Sequence, residues 1–170
     1  MMLRLIGAGL IIASCGAFGF GMAAQYRREI AVLRQFKISL DFMQQEMTYH
    51  LSPLPELCRG AAVQCSGTLR KFWEQTAGEM ESQIAPDVVS CMNAAGNKVN
   101  PLPKYTAQAM DMLSKSLGCF DLSGQQKTLQ AVSMFCDEKL AELEDNKPQR
   151  TRNYQTLGLC AGAALAILFI

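Results

Sequence analysis

The sequence predicts an all-α fold: a cytoplasmic six-helix bundle between an N-terminal and a C-terminal transmembrane helix. Three observations carry that prediction. Both ends are uncharged, Leu5 to Ala24 for about 20 residues and Tyr154 to Ile170 for about 17, lengths that reach across a bilayer's hydrocarbon core as helix. Between them apolar residues recur every three or four positions, the period of a helix with one buried face. No run alternates apolar and polar residues for long enough to make a strand. The expected division is an extracytoplasmic tip at 1–4, a first span at 5–24, a helical domain at 25–153 and a second span at 154–170.

Two other readings compete for the first span. Met1 to Arg4 followed by the Leu5 to Ile12 run has the form of a secretory signal, and Gly21 and Ala23 are small enough for a cleavage site. Ile12-Ala13-Ser14-Cys15 has the apolar-small-small-Cys form that precedes a lipidated cysteine. A retained span is favoured because the residues after Cys15 stay apolar as far as Ala24, and Arg27-Arg28 then follow as a clamp. Arg27, Arg28, Arg34 and Lys37 face Arg4 across the first span, and Lys147, Arg150 and Arg152 precede the second. The positive-inside rule then places Gln25 to Asn153 in the cytoplasm and both tips outside, and a chain stopping at Ile170 fits translocation of almost nothing. Gly9, Ala13, Ala17 and Gly21 recur every four residues, as do Gly158, Gly162 and Ala166. Such stripes let backbones approach closely, so the two are expected to pack on each other or on a partner. The plainer alternative is that glycine and alanine are common in membrane helices.

The first helix is expected to leave the membrane without a break, with Tyr26, Ile30, Leu33, Phe36, Leu40, Met43 and Met47 on its apolar face. Ser52-Pro53-Leu54-Pro55-Glu56 ends it and opens the second, with Ser52 as N-cap and Pro53 as first helical residue. Leu57, Ala61 and Ala62 line that second helix until Ser66-Gly67 interrupts it. Leu69, Phe72, Trp73, Thr76, Ala77 and Met80 mark the third, with Trp73 its largest core side chain. Ile84 to Ala95 reads as a short fourth helix stopped by Gly96-Asn97. After the two-proline bend Asn100-Pro101-Leu102-Pro103, Tyr105, Ala109, Met112, Leu113 and Leu117 mark a fifth, stopped by Gly118. The sixth begins near Leu122, capped by Asp121 or by a Ser123–Gln126 capping box. Its apolar face is Leu129, Val132, Phe135, Cys136, Leu140 and Leu143, with Asp137, Glu138, Glu142, Glu144 and Asp145 outside. Pro148 is expected to break it before the second span.

Composition narrows the chemistry. All 15 acidic residues lie in the central domain with every basic residue except Arg4, so the domain is neutral and offers nucleic acid no basic stripe. The seven cysteines, Cys15, Cys58, Cys65, Cys91, Cys119, Cys136 and Cys160, fall in the membrane or on the cytoplasmic side, where free thiols serve as small apolar residues. His50 is the single histidine, no Cys-x-x-Cys occurs, and no glycine-rich loop ends in Lys-Ser or Lys-Thr. No catalytic residue, cofactor or metal ligand is therefore assigned. The Asp137 to Asp145 tract reads as a solvated helix face, or else as a docking surface for a basic partner.

Glu46-Met-Thr-Tyr49-His-Leu-Ser-Pro53-Leu54-Pro-Glu56 resembles the Glu-x-x-Tyr-x-x-x-Pro-Leu-x-Glu segment of the stage III sporulation protein AB family. Leu117-Gly118-Cys-Phe-Asp121-Leu-Ser-Gly-Gln125-Gln126-Lys127 resembles that family's Leu-Gly-x-x-Asp-x-x-x-Gln-Gln-Lys turn, and Tyr154-Gln-Thr-Leu157-Gly158 is similar to the start of its last span. The cysteine richness and the Asn100 to Pro103 bend lie outside that pattern. The resemblance implies a membrane component of the channel-like complex between mother cell and forespore, in the mother-cell membrane, similar to the cytoplasmic domain of the type II secretion F protein. It implies as partners the ATPase stage III sporulation protein AA and the complex's other membrane subunits, with further copies of this chain an open option, and no small-molecule substrate. None of Glu46, Tyr49, Pro53, Asp121 and Gln125 need touch a partner: capping and helix-turn geometry is the favoured account of them, and partner contact the alternative. The alternative function is a stand-alone membrane adaptor or receptor hairpin whose loop binds another cytoplasmic protein.

Overall fold

The three-four apolar period is realised as six helices and, among the described residues, no strand. They are α1 (Met2–Tyr49), α2 (Leu54–Val63), α3 (Gly67–Ser82), α4 (Val88–Lys98), α5 (Lys104–Ser114) and α6 (Leu122–Phe169). The structure is a computed structural model that describes residues 2–49, 52–82, 87–115, 117 and 122–169. It divides into two compact units, residues 1–30 with 142–170, and residues 31–141.

In the unit of residues 31–141 the core forms around Trp73, which is 0% exposed. Its ring stacks on Phe36 of α1 at 6.1 Å and 4° and meets Phe72 edge-on at 5.4 Å and 73°. Leu33, Phe36, Leu40, Met43 and Met47 are all buried along α1, and Leu129, Val132, Cys136 and Leu140 along α6, as their spacing predicts. Gly60 lets α2 approach α1 closely: a Cβ there would lie 2.4 and 2.5 Å from the Phe42 ring. Gly67 takes a φ of 59° where α2 turns into α3, a left-handed conformation that costs glycine little. Gln35 of α1 secures this turn, its Oε1 accepting from the Ser66 amide at 3.0 Å and from the Ser66 hydroxyl at 3.1 Å. Ion pairs Lys37–Asp137, Arg59–Glu81 and Lys98–Glu79 tie neighbouring helices at the surface, where each adds little.

Four expectations are corrected. The N-cap of α2 is Pro53 (φ −58°, ψ 148°), so Leu54 is the first helical residue and Ser52 is free to bond elsewhere. The cap of α4 is Asp87, which accepts from the Ser90 amide at 2.8 Å; the helix begins at Val88 and runs through Gly96 to Lys98. On α5 the buried face is Thr106, Ala109, Met110, Leu113 and Ser114, whereas Met112 is 38% exposed. Two hydroxyl residues sit on the inner face there, and Ser114 satisfies its own by donating to the Asp111 carbonyl at 2.9 Å. Finally, α6 continues through Pro148. A proline in mid-helix removes one amide donor, and the turns on both sides hold the helix together.

In the unit of residues 1–30 with 142–170, Gly19, Ala23, Tyr26 and Ile30 form the buried stripe of α1. Tyr26 joins the two segments, its buried hydroxyl donating to the Leu143 carbonyl at 2.8 Å. The large apolar residues of the same stretch point the other way, Phe18 being 73% and Phe20 55% exposed. Among the described residues no helix is long and apolar enough to cross a membrane. The side chains of residues 2–6 and 8–12, and of many residues after 153, lie outside that description.

Candidate functional site

The two motifs that the sequence singles out lie some 70 residues apart, and the fold brings them together where α1 ends and α6 begins. Gln126 Nε2 donates to the Thr48 hydroxyl at 3.2 Å. Thr48 passes its own proton back along α1, donating to the Gln44 carbonyl at 2.7 Å, so one hydroxyl serves as acceptor for α6 and donor for α1. Thr48 lies inside the first motif between Glu46 and Tyr49 without having been singled out; a hydroxyl one helical turn after Gln44 was the available signal.

Beside it Ser52 Oγ donates to Glu46 Oε2 at 3.1 Å, tying the residue before Pro53 to the last turn of α1. Pro53 then starts α2, its carbonyl accepting from the Leu57 amide at 3.0 Å. Pro55 falls in the first turn, where the missing amide costs nothing, and Glu56 sits there exposed, well placed against the helix dipole. Leu54 is half-buried. On the other side Leu117 is buried, with its amide on the Leu113 carbonyl at 3.0 Å. Gln125 and Gln126 are half-buried and Lys127 is exposed. Gly118, Asp121 and His50 lie outside the described residues.

The motif residues therefore divide by role. Glu46, Pro53, Leu117 and Gln126 are engaged in hydrogen bonds within the protein, while Tyr49, Glu56 and Lys127 present their side chains to the outside, Tyr49 with 79% of its surface exposed. A tyrosine left that open at a helix end is suited to recognition, because one ring offers both apolar area and a hydroxyl. Of the small-residue stripes, Ala13, Ala17 and Gly21 are exposed, and a Cβ on Gly21 would meet nothing within 4 Å. The surroundings of Gly9, Gly158, Gly162 and Ala166 lie outside the description.

Among the described residues the buried cysteines are not poised as nucleophiles. Cys58, Cys65, Cys91 and Cys136 are free and buried, and burial pushes Cys58 and Cys136 up to about 12 and Cys65 up to about 11. Thiols held that high are protonated at neutral pH. Among the described residues no group of three or more His, Cys, Asp or Glu is placed to hold a metal ion.

Residues 4–170 match the family described as stage III sporulation protein AB. The chain belongs to the stage III sporulation protein AB family. Stage III sporulation protein AB of Bacillus subtilis (strain 168) is 22% identical over 172 residues, covering 99% of this chain and 100% of that protein. A solved structure of stage III sporulation protein AB has the same fold, with a TM-score of 0.63 at 16% identity over 72% of this chain and 98% of that one. The Glu46 to Glu56 and Leu117 to Lys127 motifs, read from the sequence as resembling those of the stage III sporulation protein AB family, meet through Thr48 and Gln126.

Proposed function

We propose that this chain is a non-enzymatic membrane platform subunit of the channel-like sporulation complex between mother cell and forespore. Its helical domain docks the complex's cytoplasmic ATPase, stage III sporulation protein AA. The observation that carries this reading is the junction of the two motifs through Thr48 and Gln126, with Tyr49 open beside it. Structural roles explain the residues that make the junction. They do not explain a tyrosine 79% exposed at its edge, which a partner surface would cover.

Membrane anchorage completes the reading. Leu5 to Ala24 and Tyr154 to Ile170 carry no charge, basic residues crowd the sides that face the helical domain, and Phe18 and Phe20 turn outward where lipid would meet them. Ala13, Ala17 and Gly21 leave one face of α1 open for another membrane helix.

The test is in vivo photocrosslinking in sporulating cells, with a probe residue at Tyr49 or Lys127 and a control probe at the exposed Gln75 on α3. Adducts with the ATPase from the first two positions and none from the third are expected. Silence at Tyr49 and Lys127 in a strain that still sporulates overturns the docking mechanism.

A further inference from the structure

In the unit of residues 1–30 with 142–170, α1 leaves at Ile30 and α6 enters at Glu142, close to where the Tyr26 hydroxyl donates to the Leu143 carbonyl. The two helices therefore run in opposite directions from a common end. Ala23 and Gly19 are buried one and two turns further on, and α6 is the other segment of this unit that can cover them. At about 1.5 Å per residue, Gly19 lies about 10 Å beyond Tyr26, and the same advance along α6 from Leu143 reaches Arg150.

That register sets the two spans read from the sequence against each other. The first ends at Ala24, two residues from Tyr26 and so level with Asp145, whereas the second begins at Tyr154, about nine residues or ~14 Å further along. A membrane surface at Ala24 would put Lys147, Arg150 and Arg152 in hydrocarbon, where charge is costly. A surface at Tyr154 would leave Phe18, Phe20 and Met22 in water, although they are 73%, 55% and 36% exposed. Both sets are satisfied at one depth, the headgroup layer, where aromatic rings meet the acyl boundary and cations meet phosphate. Lys147 and Arg152 are exposed there on α6. No carboxylate competes with phosphate at this depth, since α1 has no acidic residue before Glu29 and α6 none after Asp145.

We propose that the membrane surface crosses this helix pair at the level of Phe18 to Met22, and that Lys147 and Arg152 bind there the phosphates of anionic phospholipids. The proposal rests on the membrane anchorage put forward above and adds its depth and its lipid. Arg27 and Arg28 lie about 8–9 Å farther from the bilayer than Lys147 and stand outside this contact.

The test uses the full chain in phospholipid nanodiscs. Trp73 is the sole tryptophan, so Trp73→Phe chains carrying Ala13→Trp, Phe20→Trp or Ala24→Trp report depth through quenching by lipids brominated near the headgroup or near the chain end. Phe20→Trp should be quenched most by the shallow bromines, Ala13→Trp by the deep ones and Ala24→Trp by neither. Strongest shallow quenching at Ala24→Trp overturns the proposal. So does a Phe20→Trp shielded from both lipids while Ala13→Trp is quenched, because a second copy then covers this face. No quenching at any of the three overturns the membrane anchorage itself, and the proposal with it. The lipid is read by native mass spectrometry of chains released from nanodiscs of equal phosphatidylcholine and phosphatidylglycerol. The wild type should retain phosphatidylglycerol over phosphatidylcholine at least about fivefold. Lys147→Gln with Arg152→Gln should bring that ratio to about one at an unchanged melting temperature, both side chains being exposed, and Arg27→Gln with Arg28→Gln should leave it unaltered. Equal retention of the two lipids by the wild type, or an equal loss in both double variants, overturns the proposal.

Discussion

At the scale of single residues the cysteines and the tryptophan set most of what can be measured. An unfolded thiol titrates near 8.5, whereas folding pushes Cys58 and Cys136 up to about 12, in both cases chiefly through burial. Because the folded values are the higher ones, the stability these thiols contribute is complete below about pH 8.5 and drains away as pH rises through 12. Thermal unfolding should therefore shift to lower temperature between about pH 9 and 11, and replacing Cys136 by Ala should lower stability near neutral pH while flattening that slope, so that the difference from the wild type shrinks as pH rises. Maleimide labelling read by peptide mass spectrometry at pH 7 should reach Cys58 and Cys136 only after denaturant is added; rapid labelling of the native chain would contradict their burial. Trp73 is the other extreme of size. Truncating it to Ala removes the rings' common contact with Phe36 and Phe72 and should cost about 3–5 kcal/mol in denaturant unfolding. Trp73→Phe should cost less, since it keeps an aromatic ring and removes an indole N–H that is buried without an acceptor.

At the scale of helices, periodicity was informative wherever one apolar stripe faced one core. The seven positions from Tyr26 to Met47 on α1 are all buried, as are Leu57, Ala61 and Ala62 on α2. It misled where polar side chains are buried: Thr106 and Ser114 occupy the inner face of α5 and Met112 the outer, so counting apolar residues turned that helix by part of a turn. Stop signals misled twice, at Gly96 and Pro148, because each is a local penalty that the packing of a whole helix outweighs. Caps are local and were still missed at α4, where Asp87 outcompeted a start set by Ile84. The Ser90 side chain and amide hold the Asp87 carboxyl below its usual range, so the cap is intact above about pH 4 and weakens as pH falls through that lowered value. Asp87→Asn should keep the acceptor and lose this acid sensitivity, while Asp87→Ala should lower the melting temperature at pH 7. The α1–α2 approach predicts a coupling. Alone, Gly60→Ala must displace the Phe42 ring and should bring no gain; with Phe42→Ala it should stabilise by about 1 kcal/mol from helix propensity, a non-additivity that a double-mutant cycle reads directly.

At the scale of the molecule, the meeting of Glu46–Glu56 with Leu117–Lys127 was legible as two motifs but not as one place, since nothing in linear spacing says that Thr48 and Gln126 touch. The terminal stretches are the reverse case: composition and charge predict two spans, whereas among the described residues no helix is long and apolar enough to cross a membrane. They also make the sharpest global prediction, because a signal peptide, a lipoprotein and a retained hairpin yield different mature chains. A cleaved signal removes residues up to about Ala23; a lipoprotein begins at a modified Cys15; the proposed hairpin keeps Leu5 to Ala24 intact. Intact mass of the membrane-extracted protein separates the three. The proposed hairpin would also fix the sidedness of what lies between. Protease added to sealed, right-side-out membranes should leave Gln25 to Asn153 uncut, and added to inverted vesicles should remove it. Replacing Arg27 and Arg28 by Glu takes away half of the basic residues flanking the first span on its inner side, so some chains should then insert reversed and become cleavable from the outside. Full protection of that variant, with wild-type sidedness, would mean that the second span or the folded helical domain sets the orientation by itself.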